Sequence, residues 1–243
     1  MNLTGIQRKV AGLDETGLVA FEDSSRNVML HREVVEPFRL LQQDAREAGF
    51  TLGIVSAYRS FDRQIAIWNG KASGKRDLLD DDGRVLDPSL LSDAEKLHAI
   101  LRWSAIPGVS RHHWGSDLDI YDAAVVPLVD VQLTQFEVVD GGVFFPLHEW
   151  LGEKIVRNES RGFYRPFAVD QGGVAQELWH LSYLPLAVQY APVAERESLL
   201  SLWKEHDLAL LEALVPELDT VWNRYVAQSL DGQPDWVVRA FSG

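Results

Sequence analysis

The stretch that most restricts how this chain can fold is Ser110-Arg-His-His-Trp-Gly115-Ser-Asp-Leu-Asp119-Ile-Tyr121. Leu118 and Ile120 alternate with Asp117, Asp119 and Tyr121, which is the period of a strand with an acidic face. Two histidines precede it, and Gly115 lets the chain turn between His and Asp. A second candidate strand, Glu177-Leu-Trp-His180-Leu-Ser-Tyr183, carries the same residue types. A hydrolytic zinc site asks for three nitrogen or oxygen ligands and an open fourth position for water. It also asks for a carboxylate that is not a ligand, to take the water's proton and return it to the leaving amine. The two stretches supply these residue types if the fold brings them together. The helical His-Glu-x-x-His arrangement is absent, because His148-Glu149 has no second His at the required place.

Around these strands the pattern is mixed. Residues 32–49 read as a helix, with Val34, Val35, Phe38, Leu41 and Ala45 near helical spacing and Gly49 as the stop. Thr51–Ser56 reads as a short buried strand. Helices follow over 62–69, 92–103 and 147–158, and residues 1–30 read as short strands and turns. Residues 70–90, with Asp80-Asp81-Asp82-Gly83, read as a solvated surface loop, since a calcium loop needs spaced acids and a closing Glu. From Glu195 to about Gln228 the spacing predicts two helices broken at Pro216. The class is therefore α+β, a small and mostly antiparallel sheet flanked by helices, with extra C-terminal helices. The expected organisation is one domain over 1–194 with an N-terminal extension. A helical appendage over 195–243 packs on it.

Composition excludes several classes. With 243 residues, 46% of them hydrophobic, the chain can bury a sizeable core. It has no cysteine, so neither disulfides nor a thiolate metal site can form. A net charge of −13 argues against a nucleic-acid surface. No apolar stretch is long enough to span a membrane. Met1–Glu15 carries only Arg8 and Lys9 as cations and no apolar run, so it does not read as a secretory signal. A cytoplasmic protein is expected unless the chain is processed.

Taken together, these motifs resemble the M15 zinc peptidases, the LAS group that includes D-alanyl-D-alanine carboxypeptidases of the vancomycin-resistance type. The family pattern Ser-x-His-x-x-Gly-x-Ala-x-Asp is matched by Ser110, His112, Gly115 and Asp119, with Asp117 where Ala is usual. Glu-x-Trp-His is intact as Glu177, Trp179 and His180. A Tyr-Arg-Ser turn followed by Gln is present as Tyr58-Arg59-Ser60 and Gln64. The resemblance covers roughly residues 35–190 and implies a hedgehog/DD-peptidase-like fold. It implies one Zn2+ per chain held by His112, Asp119 and His180, with Glu177 as general base and then general acid. Arg59 would contact the substrate carbonyl or carboxylate and stabilise the oxyanion. Gln64 and Ser110 would serve the substrate carboxylate and the support of the site. The implied substrate is a peptidoglycan stem peptide ending in a D-amino acid, cleaved at a D-Ala-D-Ala or an L,D-bond. Family members are often periplasmic or extracellular. A stem-peptide endopeptidase and a non-catalytic zinc-containing binding module are the alternatives.

Asp117 is the departure from the pattern. A fourth protein ligand would close the site to water, so Asp119 is expected to be the ligand. Asp117 is expected to accept a hydrogen bond from a ligand histidine or to pair with a cation. His31, His98, His148 and His206 read as structural or surface residues. His113 has no conventional role in the motif. Trp179 reads as packing, and Trp114 as packing or cleft rim.

Overall fold

A computed structural model describes residues 3–23, 26–194, 196–227 and 230–242. A short helix comes first, α1 (Gly5–Val10), with a capping box between Thr4 and Gln7. The hairpin β1 (Leu18–Glu22) and β2 (Asn27–His31) leads into α2 (Arg32–Glu47). Val34, Phe38, Leu41 and Ala45 form the buried stripe of α2, as their spacing requires. Next come β3 (Leu52–Ser56) and α3 (Phe61–Ala72), the helix capped by Ser60. The small hairpin β4 (Leu78–Leu79) and β5 (Val85–Leu86) precedes α4 (Asp93–Trp103), which starts with a Ser92/Glu95 capping box.

The centre of the fold is β6 (Asp117–Asp122). It is followed by α5 (Gln135–Val138), α6 (Phe145–Val156), β7 (Phe163–Tyr164), β8 (His180–Tyr183) and α7 (Leu184–Tyr190). The antiparallel sheet has the order β3-β6-β8-β7, so β6 is paired on both edges. All six of its residues are buried, the acids included. One core packs the sheet against α2, α6 and α7, through residues such as Phe38, Leu118, Ile120, Leu151 and Leu181. The class is α+β with small antiparallel sheets, as expected.

The C-terminal part consists of α8 (Arg196–Glu205), α9 (Leu211–Leu214), α10 (Leu218–Val221), one π-helical turn over 222–226, and α11 (Asp235–Phe241). Helices α8 to α10 share a second core with α3 and α4, centred on Trp68, Leu101 and Trp203, while α11 packs on the first core through Val237. The Trp203 indole donates to the carbonyl of Pro107 at 2.7 Å, and that of Trp68 to the carbonyl of Ala209 at 2.9 Å. The first bond ties α8 to the segment that leads into the first motif, and the second ties α3 to the turn after α8.

Several expectations are corrected. Residues 5–10 are helical rather than strand and turn. The acidic loop over 70–90 contains a hairpin, its turn held by Asp80, whose carboxylate accepts from the backbone of Asp82 and Arg84. The helical stretch is interrupted at Pro216, as expected, by a 3-10 segment between α9 and α10, but a further break falls at 206–210, where Asp207 and Leu210 have positive φ. Pro216 lies in the first turn of a 3-10 segment, where its missing N–H costs nothing. Glu195 and Gln228, the ends of the expected helical stretch, lie outside the described residues.

Candidate metal centre

His112 sits in a 3-10 turn, Arg111–Trp114, that ends at Gly115 in the left-handed region, φ +68°. A Cβ at Gly115 would stand 2.5 Å from the Leu18 side chain and 2.9 Å from the backbone nitrogen of His31. Only glycine fits the turn that delivers the chain from His112 into β6. Asp119 on β6 then lies directly opposite His180 on β8. Register does the assembling here, because a slip of one residue would send one partner to the other face.

The three side chains converge. His112 Nε2 is 3.3 Å from Asp119 Oδ2, and His180 Nδ1 is 3.3 Å from Asp119 Oδ1. One donor atom from each lies within 4.8 Å of the others, and all three residues are buried. The outward nitrogen of each ring is occupied. His112 Nδ1 donates to the carbonyl of Ala57 at 2.9 Å, and His180 Nε2 donates to Asp117 at 2.9 Å. Each imidazole therefore presents its remaining nitrogen to a common centre, the arrangement in which metal-ligating histidines are held. Two imidazoles and a carboxylate beside an open cleft match, in type and number, the protein donors that a catalytic zinc ion takes.

Asp117 lies on the far side of the His180 ring and outside this donor set. It also accepts from Arg111 Nε at 2.8 Å and from Ser116 at 2.7 Å. Burial pushes its carboxyl up, but Arg111, His180 and Ser116 more than offset that and hold it ionised. Arg111 is braced in turn by Tyr164 at 2.8 Å and Ser182 at 2.6 Å, with its guanidinium 4.5 Å above the Trp114 ring. Nothing in the motif pointed to Tyr164 or Ser182. Arg111 lay inside the motif and was readable as the cation that Asp117 needs.

Glu177 precedes β8, in the turn that leads to His180, with its carboxylate 3.5 Å from His180 Nδ1. Burial raises its pKa, helped by Asp119, against the pull of His180 and Arg59. Burial would lower His180, yet its contacts with Asp117, Asp119 and Glu177 raise it well above the usual value. Asp119 and Glu177 thus gather negative charge beside His180 Nδ1, which a divalent cation would balance.

Arg59 stands just before α3. Its Nη2 points at Asp119 Oδ2 at 3.5 Å, and its Nη1 donates to Gln64 Oε1 at 3.2 Å. Gln64 is the residue that the resemblance assigns to the substrate carboxylate. Gln64 is fully buried, and its amide nitrogen donates to the carbonyl of Ala105 at 2.8 Å, so both its polar ends are used in holding Arg59. Ser110 is buried and lines the cleft beside His112. His113 is structural: Nδ1 donates to the Arg59 carbonyl at 2.7 Å, and Nε2 accepts from Gly108 N at 3.0 Å. His98 pairs with Glu217 at 2.9 Å, away from the site.

The donor atoms open onto a cleft of about 550 Å³. Phe167 forms one wall, edge-on to the His180 ring at 5.0 Å. Trp103, Trp222 and Tyr225 form another, and Lys71 enters from α3. None of these carried a motif. The 222–227 segment reaches the cleft because Gly173 admits it: a Cβ there would meet the Arg224 carbonyl at 2.0 Å.

Residues 27–186 match the model of a protein family described as VanY: D-alanyl-D-alanine carboxypeptidase. An uncharacterised protein of Haemophilus influenzae is 46% identical over 82 residues, which cover 34% of this chain and 56% of that protein. The chain thus spans 56% of that relative's length. A second uncharacterised protein of the same organism is 35% identical over 124 residues, covering 50% of this chain and 92% of that protein. A crystal structure of a vancomycin-resistance D,D-pentapeptidase VanY variant in complex with Zn(II) superposes at 21% identity with a TM-score of 0.47. The match covers 81% of this chain and 88% of that one.

Proposed function

Because the chain belongs to the VanY family of D-alanyl-D-alanine carboxypeptidases, we propose that it is a zinc-dependent peptidase that removes the terminal D-amino acid from peptidoglycan-type stem peptides. The observation that carries this reading is the convergence of His112, Asp119 and His180 within 4.8 Å, with Glu177 beside them and not among them. Bound zinc would activate a water and polarise the scissile carbonyl. Glu177 takes the proton of the attacking water and returns it to the leaving amine. Its raised pKa suits a group that must work in both directions. Arg59, pinned by Gln64, faces the carbonyl oxygen as negative charge grows on it, and such a fixed donor lowers the barrier by several kcal/mol. Asp117 and Ala57 hold the two imidazoles in the tautomers that ligation needs.

Mass spectrometry of tri-, tetra- and pentapeptide stems after incubation with the zinc-loaded protein tests this. Loss of D-alanine from the pentapeptide marks a D,D-carboxypeptidase, and loss from the tetrapeptide an L,D-carboxypeptidase. Cleavage within the stem marks an endopeptidase. Intact stems in the presence of bound zinc would reduce the protein to a binding module.

A further inference from the structure

Lys71 is a cation of the cleft that, among the described residues, is met by a neutral hydroxyl and by no carboxylate. Lys71 lies in the last turn of α3, seven residues after Gln64 and so on the same helix face. Its ammonium lines the same cleft as Arg59 and Glu177 and contacts Ser104 Oγ at 2.7 Å. Among the described residues no carboxylate lies within ion-pair distance of it. The other cations of the cleft are engaged. Arg59 is held by Gln64 and Asp119, Arg111 by Asp117, and Arg224 by the Gly172 carbonyl and the Tyr225 ring. Burial pushes the Lys71 amine down to about 8, with Glu177 acting to raise it and Arg59 and Arg76 to lower it further. At neutral pH it therefore remains mostly protonated. Burying an ammonium against a hydroxyl alone is costly, and an aliphatic side chain would avoid the cost.

A ligand that brings a negative charge into the cleft repays that cost. A carboxypeptidase substrate has one, the free carboxylate next to the scissile bond. Arg59 is held beside Asp119, and the mechanism proposed above assigns it to the oxyanion. Ser104 accepts from Lys71, and no acceptor for its own hydroxyl proton lies among the described residues. The pair offers two donors to one carboxylate.

We propose that Lys71, together with Ser104, receives the C-terminal carboxylate of the substrate and so selects exopeptidase over internal cleavage. The proposal rests on the reading of the cleft as a peptidase site and moves the carboxylate role from Gln64 to Lys71.

The test is calorimetric binding of diacetyl-L-lysyl-D-alanyl-D-alanine and of its C-terminal carboxamide. The protein is the full chain, zinc-loaded, carrying Glu177→Gln to separate binding from turnover. The expected result is an acid-over-amide preference of about 10–100-fold, the range for hydrogen bonds to a charged group. Adding Lys71→Met should bring the ratio to within about threefold of unity. Lys71→Gln should do the same and stands in if the first variant does not fold, while Lys71→Arg should keep part of the preference. A residue that only supports the helix would weaken acid and amide alike. Absence of preference in the parent protein overturns the proposal, as does a preference that survives both neutral variants. Failure of the peptidase reading would show instead as intact stems with the unsubstituted protein, whatever the acid-to-amide ratio.

Discussion

Asp119 and His180 are direct cross-strand partners on β6 and β8, with His180 Nδ1 3.3 Å from Asp119 Oδ1. Two of the three side chains proposed to hold the metal are thus set by strand register, and His112 is set by a turn. Asp117, two residues earlier on the same face, reaches the opposite nitrogen of the same ring. Asp119→Ala should lose zinc outright, since it removes a ligand. Asp117→Asn should keep zinc with affinity reduced about 10–100-fold, because it weakens only the bond that orients the ring. Asparagine is preferable to alanine here, as it leaves an acceptor for Arg111. Competition with a chromophoric chelator measures both. Equal losses in the two variants would mean that Asp117 is also a ligand.

Arg59→Lys should be damaging although the charge is kept. One nitrogen of the guanidinium bonds Gln64 while another faces Asp119, and an ammonium cannot span both. A fall in kcat of about 10²-fold is expected, the scale for loss of an oxyanion donor. Steady-state kinetics with wild-type kcat would make Arg59 a merely structural residue.

Lys71→Met should raise the Tm of the ligand-free protein at pH 7. The folded-state value of about 8 lies below the usual 10.5, so the folded chain holds fewer protons between these limits. The penalty is present in full below pH 8 and fades as pH rises towards about 10.5. Glu177, Arg59 and Arg76 act on the same amine, and its hydrogen-bond partner is the neutral Ser104. The gain in Tm should therefore shrink between pH 7 and pH 10. Scanning calorimetry at the two pH values decides it, and a lower Tm at pH 7 would contradict the cost assigned to this lysine.

Gly115→Ala should lower the Tm by several degrees. The added methyl meets the His31 backbone at 2.9 Å, and the residue would keep a left-handed φ of +68°. Strain of this kind costs about 1–3 kcal/mol. Thermal melts check it, and an unchanged Tm would mean that the turn relaxes without cost.

The parts of this fold that sequence made legible were those with a strong local period or a chemical motif. The alternation over Asp117–Tyr121 and the apolar stripe of α2 are examples. Helix α1 was missed because only Val10 of it is buried, so it shows no amphipathic stripe. The break at 206–210 was missed because it depends on Ala209 docking to Trp68 and Asn69, a contact across some 140 positions. The cluster of His112, Asp119 and His180 was legible because the metal chemistry it suits demands particular residue types. The place of Lys71 in the cleft and of Tyr164 and Ser182 beside Arg111 was not, because tertiary packing alone puts a lysine or a hydroxyl there.

The central claim is that Glu177 moves the proton while zinc is held by the other three. Its most direct test compares release of D-alanine from a stem pentapeptide by the unsubstituted protein and by Glu177→Gln, each with its zinc content measured. The account predicts one zinc per chain in both, with turnover in the variant reduced about 10²–10⁴-fold. Chelation should abolish release by the unsubstituted protein, and added zinc should restore it. Release at the unsubstituted rate by Glu177→Gln, or by a folded protein free of metal, would contradict it.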